Sequence, residues 1–305
     1  MSTSTIRTSP KKARKPQARS LPLRAAIVLI VAEYVRLTVR QLFYQLVARR
    51  EIDKTEQAYK RVCDVSAQLR LDGSIHYGKI ADGHRSRRGV YAHGSMAEAL
   101  ENAAEIYRRN YWLDQPVNVE IWCEKDALTG VIQPVCTEYG VTYVATRGFP
   151  SLTLIYESAM AMVQMGKPTH LYYFGDHDAS GRAISGNLEV DLRAHGADVT
   201  VERVALDPWQ IERFNLPTRP GKASDSRHSR FAAAYGDACV ELDALPPDIL
   251  EDYVREAIRS EIDPYVWRKT QEVEELERRT LESIVACDWR PGKVYSLVTG
   301  DEEAA

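Results

Sequence analysis

The chain has 305 residues, 44% of them hydrophobic, which is enough to build about two domains with packed cores. Its five cysteines are scattered without a CxxC pair, so the sequence argues against a disulfide framework or a zinc site and favours a reducing compartment. The eight-residue apolar run at residues 25–32 is too short to cross a membrane, and residues 1–20 lack the apolar stretch of a secretory signal. We therefore expect a cytoplasmic protein with no membrane partner.

The small net charge of −3 conceals an uneven distribution. Residues 1–93 contain 19 Lys and Arg against 7 Asp and Glu, whereas the remainder contains 21 against 36. A basic front end joined to an acidic remainder indicates that the front end meets a polyanion. For residues 1–20, a solvated disordered arm and a DNA-binding arm both stay open.

The basic front end predicts three short helices, at Leu23–Tyr34, Val39–Arg49 and Lys54–Leu69, with Thr38 as the N-cap of the second. A β-like run at residues 74–80 and a basic loop at residues 82–88 follow. This order is typical of a winged helix-turn-helix module, here residues 21–95, which places one helix in the major groove of DNA. The basic residues expected to contact double-stranded DNA are Arg40, Arg70, Lys79, Arg85, Arg87 and Arg88.

Tyr44 lies on the second predicted helix, one residue after Phe43. Adjacent helical residues point in different directions, so we expect Phe43 in the core and Tyr44 facing outward. A tyrosine hydroxyl, with an ordinary pKa of about 10, attacks phosphorus only with help from positive charge or a metal. From the residues alone, a structural tyrosine and a catalytic one both stay open.

After a connecting segment at residues 96–116, with a helix expected at Met96–Tyr111, strands and helices alternate. This alternation predicts an α/β fold with a mostly parallel sheet over residues 117–265. Residues 266–305 form a charged C-terminal helix and tail, whose near-heptad apolar positions fit either dimerisation or packing on the same chain. The predicted strands are Val117–Trp122, Val141–Ala145, His170–Phe174 and Val199–Ala205.

Carboxylates follow two of these strands: Glu124 comes after the first, and Asp176 and Asp178 come after the third. Parallel sheets bind ligands at the carboxyl ends of their strands, so these side chains are expected to converge. Hard oxygen ligands of this kind favour Mg²⁺, and protein-bound Mg²⁺ usually acts on phosphates. Lys125 is either a phosphate contact or a solvated lysine, and His177 is expected to point away from the aspartates.

The order of a strand ending in Glu-Lys-Asp, a Gly-Phe-Pro turn and a strand ending in Gly-Asp-x-Asp-x-x-Gly resembles a toprim domain. More narrowly, the chain resembles the DNA-cleaving A subunit of topoisomerase VI and its meiotic double-strand-break relatives. The resemblance implies a Rossmann-like toprim domain preceded by an α-helical, CAP-like winged helix. The run Arg40-Gln41-Leu42-Phe43-Tyr44 matches the helix that carries the nucleophile in that family.

The resemblance implies that Glu124, Asp176 and Asp178 hold Mg²⁺ while Tyr44 attacks DNA, leaving a 5′-phosphotyrosyl link and a free 3′-hydroxyl. It also implies a homodimer in which one subunit's tyrosine works with the other's metal site, in a nucleoid-associated setting. Strand passage would require a separate ATPase subunit of the B type. The family's transition-state arginine has no secure counterpart, because the aligned position falls at Asp72 or Gly73.

Two other functions stay open at this point. Toprim chemistry also serves nucleases that hydrolyse DNA with metal-activated water and no tyrosine. The second alternative is a winged-helix protein that binds DNA without cleaving it, although the presence of all three acids argues against this function.

Overall fold

The computed structural model describes residues 21–81, 92–221 and 227–286. The expected basic arm at residues 1–20, the loop with Arg85, Arg87 and Arg88, and the tail from residue 287 lie outside the described residues. By internal contacts the chain divides into two compact units. The first contains residues 1–85 and 117–261, and the second contains residues 86–116 and 262–305.

The described helices and strands agree in position with most of those predicted from the sequence. Up to residue 106 they are α1 Leu21–Glu33, β1 Leu37–Thr38, α2 Val39–Ala48, α3 Glu56–Leu71, β2 Ile80–Ala81 and α4 Met96–Ile106. Beyond it they are β3 Asn118–Cys123, α5 Thr129–Tyr139, β4 Thr142–Ala145, α6 Leu152–Met165, β5 Thr169–Phe174, α7 Ala179–Arg193, β6 Val199–Ala205, α8 Pro208–Arg213, β7 Arg219–Pro220, α9 His228–Tyr235, β8 Ala238–Cys239, α10 Pro247–Arg259 and α11 Pro264–Ala286.

The three helices predicted for the basic front end are confirmed, and so is the N-cap of α2. The Thr38 hydroxyl accepts the Gln41 amide at 3.0 Å, and the Gln41 side chain accepts the Thr38 amide at 2.9 Å. This reciprocal capping box fixes the start of the helix that carries Arg40 and Tyr44.

The prediction of a β-like run at residues 74–80 is wrong over most of its length. The His76 ring accepts the Gly78 amide at 3.1 Å and turns residues 77–79 into a 3₁₀ helix.

The centre of the first unit is a parallel sheet, formed in the described part of the chain by four strands in the order β4-β3-β5-β6. Helices α5, α6 and α7 connect successive strands, so the predicted mixed α/β architecture is confirmed at this level. Strands β3 and β5 are neighbours, with Cys123 opposite Phe174. Their carboxyl ends therefore lie side by side at one edge of the sheet.

The sheet is held by an apolar core between its strands and the crossover helices. Trp122, Leu171 and Tyr173 on the strands pack with Ile184 and Leu188 of α7, and all five are buried. Full burial of such side chains contributes about 1.5–3 kcal/mol each. This core fixes the strand ends that carry the acidic residues.

The segment after the sheet returns to the same edge. His177 and Val240 exchange two backbone hydrogen bonds, of 2.9 and 3.0 Å, and Leu242–Ala244 then forms a 3₁₀ turn. These bonds bring Glu241 and Asp243 to the carboxyl end of β5. Acidic residues far apart in the chain thus become neighbours.

In the second unit α4 packs with α11. The helix predicted over Met96–Tyr111 is wrong beyond Ile106, where the helix ends and residues 107, 109 and 111 bond to α11 instead. The Arg109 amide donates to Glu274 at 2.8 Å, and the Tyr107 hydroxyl donates to Glu277 at 2.6 Å. Among the helices that the structure describes, none has the combined length and apolar character needed to cross a membrane.

Candidate functional site

The structure brings Glu124 and Asp176 together at the carboxyl ends of β3 and β5. The Glu124 amide donates to the Phe174 carbonyl at 2.8 Å, which extends the sheet pairing by one residue. The Asp176 amide donates to Glu124 Oε2 at 3.0 Å. Sheet register therefore places one candidate ligand directly against the backbone of the next.

Asp178 joins this pair as the N-cap of α7. Its Oδ1 atom accepts the Gly181 amide at 2.9 Å, and its Oδ2 atom lies 3.2 Å from Arg219 Nη2. The Gly-Asp-x-Asp-x-x-Gly pattern thus begins a helix at the edge of the sheet.

Two glycines allow the close approach of these groups. A Cβ atom at Gly181 would lie 2.3 Å from the Asp176 carbonyl oxygen and 3.0 Å from Glu124 Oε2. A Cβ atom at Gly175 would lie 2.9 Å from the same Glu124 oxygen and 2.5 Å from the Tyr173 ring. Only glycine leaves room for Glu124 at both places.

The electrostatics of this cluster reflect crowded negative charge. Burial and the neighbouring Asp176 raise the pKa of Glu124 to about 7, and burial also raises the pKa of Asp176. Lys125 opposes this effect, because its Nζ atom lies 2.8 Å from Asp176 Oδ2 and 3.7 Å from Asp243 Oδ2. Burial raises the pKa of Asp243 to about 6.

The acids of this cluster are the side chains expected to bind Mg²⁺. Within the described residues, the His, Cys, Asp and Glu side chains do not form a ready metal-binding group of three or more. Two of the acids instead have cationic partners: Asp176 is paired with Lys125, and Asp178 is paired with Arg219. Glu124 and Asp176, whose pKa values are raised, and the neighbouring carboxylate of Asp178 nevertheless suit a hard divalent cation, which would bind to the same negative charge. Glu124, Asp176 and Asp178 would be its ligands.

Glu124 lines a cleft of about 1090 Å³, and several other side chains that line this cleft are charged. We call it the carboxylate cleft. It contains three of the predicted DNA contacts and adds Arg147, whose side chain is 71% exposed and lies 2.9 Å from Asp126. Its charged lining includes Arg40, Arg70, Glu124, Lys125, Arg147 and Asp243.

Lys79, the remaining predicted DNA contact within the described residues, lies elsewhere. Its Nζ atom donates to the Tyr34 carbonyl at 2.6 Å, which ties the 3₁₀ turn to the end of α1. The structure therefore gives Lys79 a structural contact.

Tyr44 does not face outward, so that prediction is wrong: only 2% of the residue is exposed. Helix α2 is covered on several sides, by α1, α3 and the turn at residues 242–244, so Phe43 and Tyr44 are both buried. The Phe43 ring meets the Tyr44 ring edge-on at 5.3 Å, and Lys54 Nζ lies 5.3 Å from the Tyr44 ring centre. Burial, reinforced by the charge of Glu241, raises the pKa of Tyr44 well above its usual value.

Tyr44 and Glu241 line a second, smaller depression, which we call the Tyr44 groove. Arg40 lines both the groove and the carboxylate cleft, so the two adjoin. Lys54, Glu56, Tyr59 and Lys60 are among the other residues that line the groove.

His177 turns away from the acids on either side of it, as expected. Its ring is buried against Phe231 and Tyr235, and its Nδ1 atom lies 3.1 Å from Arg182 Nη2. Burial and the charge of Arg182 lower the pKa of His177 to about 4.

The sequence-based prediction missed Arg219, Glu241 and Asp243. All three follow the last strand of the sheet and reach the acids through tertiary contacts. The feature of the sequence that could have indicated them is an acidic pair, Glu241 and Asp243, inside a short apolar run.

Comparison with models of known protein families gives no match for this chain, and a search of curated proteins also gives none.

Proposed function

We propose that this chain cleaves DNA by transesterification, with Tyr44 as the nucleophile and Glu124, Asp176 and Asp178 as ligands of Mg²⁺. In this proposal residues 21–95 form a winged-helix module and residues 117–265 a toprim domain. The partner is double-stranded DNA, in keeping with the basic front end.

One observation carries the proposal: Tyr44 and Glu124 line adjoining depressions of one compact unit, and Arg40 lines both. The Asp176 amide is hydrogen-bonded to Glu124. The Tyr44 hydroxyl interacts with Glu241, and Glu241 also lies 3.8 Å from Arg219, which pairs with Asp178. A nucleophile beside an anion-binding cleft suits attack on a phosphodiester.

The chain's own residues account for binding and positioning. Arg40, Arg70, Lys125 and Arg147 present positive charge along the cleft, where backbone phosphates would lie. The Tyr44 oxygen forms the new bond to phosphorus and loses its proton, while the bond from phosphorus to the 3′-oxygen breaks and that oxygen takes a proton from water. Mg²⁺ bound by the three acids would offset the negative charge that develops on the reacting phosphate.

One Tyr44 makes one phosphotyrosyl link, so a cut in both strands requires two copies of the chain. A homodimer is therefore part of the proposal, and passage of a second duplex would require a separate ATPase subunit.

The burial of Tyr44 favours a second candidate. Only 2% of the residue is exposed, and its raised pKa opposes ionisation. Hydrolysis with water as the nucleophile would use the same three acids and the same cleft and would leave Tyr44 as a packing residue.

The experiment is trapping of cleaved DNA with SDS, followed by protease digestion, using supercoiled plasmid and a labelled duplex with Mg²⁺. Wild-type protein should give cleaved DNA that carries a protein adduct, and both signals should disappear in Tyr44→Phe and Glu124→Gln. Tyr59→Phe is the matched control, since Tyr59 lines the same groove and the variant keeps its ring.

The other functions predict different results. Cleavage by Tyr44→Phe at the wild-type rate, without an adduct, would establish hydrolysis. Metal-independent DNA binding with no cleavage under any divalent ion would establish a non-catalytic DNA-binding protein.

A further inference from the structure

Glu241 is a buried carboxylate whose surroundings are unusual. Among the described residues its Oε2 atom is buried without a hydrogen-bond partner, and Arg40 Nε lies 3.6 Å from it. Tyr44 lines the same groove as this carboxylate, and its hydroxyl interacts with Glu241 there. An anionic oxygen is thus held beside the proposed nucleophile.

Cations keep Glu241 ionised in spite of its burial. Burial alone would raise the pKa of Glu241, but Lys125, Arg40, the Tyr44 hydroxyl and Arg219 together lower it. Charged and titratable groups face Glu241 from every element packed against it: Tyr44 and Arg40 on α2, Lys54 before α3, Lys125 after β3, Arg219 on β7 and Asp243 on its own turn.

We propose that Glu241 is the catalytic base of the reaction and takes the hydroxyl proton of Tyr44 as the tyrosine oxygen attacks phosphorus. This inference rests on the proposed function. The bond from Tyr44 to phosphorus forms while the bond from phosphorus to the 3′-oxygen breaks. The phenol proton passes to Glu241, the 3′-oxygen takes a proton from water, and Glu241 then returns its proton to solvent.

The arrangement suits a transfer that occurs during the attack. The resting phenol keeps its proton, because burial and the anionic neighbour oppose ionisation. As the oxygen bonds to phosphorus its proton becomes far more acidic, and the ionised carboxylate of Glu241 in the same groove can then accept that proton. Arg40 and Arg219 hold the carboxylate from two sides.

The test is the pH dependence of single-turnover adduct formation on a labelled duplex with Mg²⁺. Wild-type protein and Glu241→Gln are compared between pH 6 and 9. Loss of a positioned base typically slows a reaction by about 10²–10⁴-fold. At pH 6 we expect adduct formation by Glu241→Gln to be slower than wild type by a factor in that range. Its rate should rise about tenfold per pH unit, because hydroxide then removes the phenol proton. The wild-type rate should not change with pH.

Glu56→Gln is the matched control. Glu56 also lines the Tyr44 groove but is exposed and pairs with Lys60 at 2.8 Å, so its variant should keep the flat wild-type profile. Glu241→Ala with added formate covers the case in which the glutamine variant misfolds. Formate should restore adduct formation in a dose-dependent way, as a carboxylate supplied from solution.

The outcomes separate this inference from the proposed function. If wild-type protein forms the adduct but Glu241→Gln shows the wild-type rate and profile, or formate fails to rescue folded Glu241→Ala, Glu241 is not the base. If wild-type protein forms no adduct, the transesterification itself is overturned and Glu241 loses this role with it.

Discussion

Lys125 Nζ lies 2.8 Å from Asp176 Oδ2, so an ammonium group contacts one of the three acids proposed to bind Mg²⁺. The aspartate is nearly buried, and a quarter of the lysine side chain is exposed. Lys125 also lies 3.7 Å from the buried carboxylate of Asp243. The same lysine therefore neutralises the cluster and competes with a metal for it.

Removing this ammonium group should destabilise the metal-free protein. We expect Lys125→Met to lower the free energy of unfolding by about 2–3 kcal/mol, somewhat less than for a fully buried pair because the lysine is partly exposed. Mg²⁺ should restore much of this loss by supplying the missing positive charge. Thermal unfolding in EDTA and in Mg²⁺ measures both effects.

The control for this variant is Lys60→Met, which removes an exposed ammonium paired with Glu56. An exposed pair contributes about 0–1 kcal/mol, so this change should be small and independent of Mg²⁺. Equal destabilisation by the two variants would argue against a special role for Lys125.

Gly181 should be intolerant of any side chain. Its replacement by Ala places a Cβ atom 2.3 Å from a backbone oxygen of Asp176 and 3.0 Å from Glu124 Oε2. We expect Gly181→Ala to destabilise the fold by about 1–3 kcal/mol, as overpacking typically does, and to abolish cleavage. Gly186→Ala in the same helix meets no atom within 4 Å and should instead stabilise the protein by up to about 1 kcal/mol. Chemical denaturation of both variants checks the contrast.

The sequence predicted the parts of the site that depend on local pattern. Glu124 and Asp176 follow apolar strands, and parallel strands bring their carboxyl ends to one edge. Thr38 has the residue type and spacing of an N-cap, and the structure confirms it.

Local sequence pattern does not predict contacts between segments that are distant in the chain. Glu241 and Asp243 reach the acids because a backbone bridge at His177 and Val240 brings their segment back to the sheet. Tyr44 was expected outside because helical periodicity describes one packed face, whereas α2 is packed on several.

The metal-free protein should lose stability as pH rises through the range where Glu124 ionises. Burial and Asp176 raise the pKa of the folded carboxyl to about 7, above the ordinary value of 4.5. The folded state therefore binds more protons than the unfolded state between these values, and stability falls with rising pH there. Glu124→Gln should flatten this slope, measured by denaturation in EDTA at pH 4.5–7.5. Asp252→Asn, an exposed acid on α10, should leave the slope unchanged.

Arg147 should contribute to DNA affinity through its charge alone. Its side chain is 71% exposed at the carboxylate cleft, where it pairs with the buried carboxylate of Asp126, so its guanidinium group is accessible to a backbone phosphate. Loss of one phosphate contact lowers the slope of log affinity against log salt concentration by about 0.9. We expect Arg147→Ala to show that reduction in slope, together with weaker binding to duplexes of any sequence.

Arg193→Ala is the control. It removes the same charge from the last turn of α7, where the arginine pairs with Glu189, and it should keep the wild-type slope. Fluorescence anisotropy titrations at several salt concentrations measure both variants, and an equal reduction in slope would mean that DNA does not lie along this cleft.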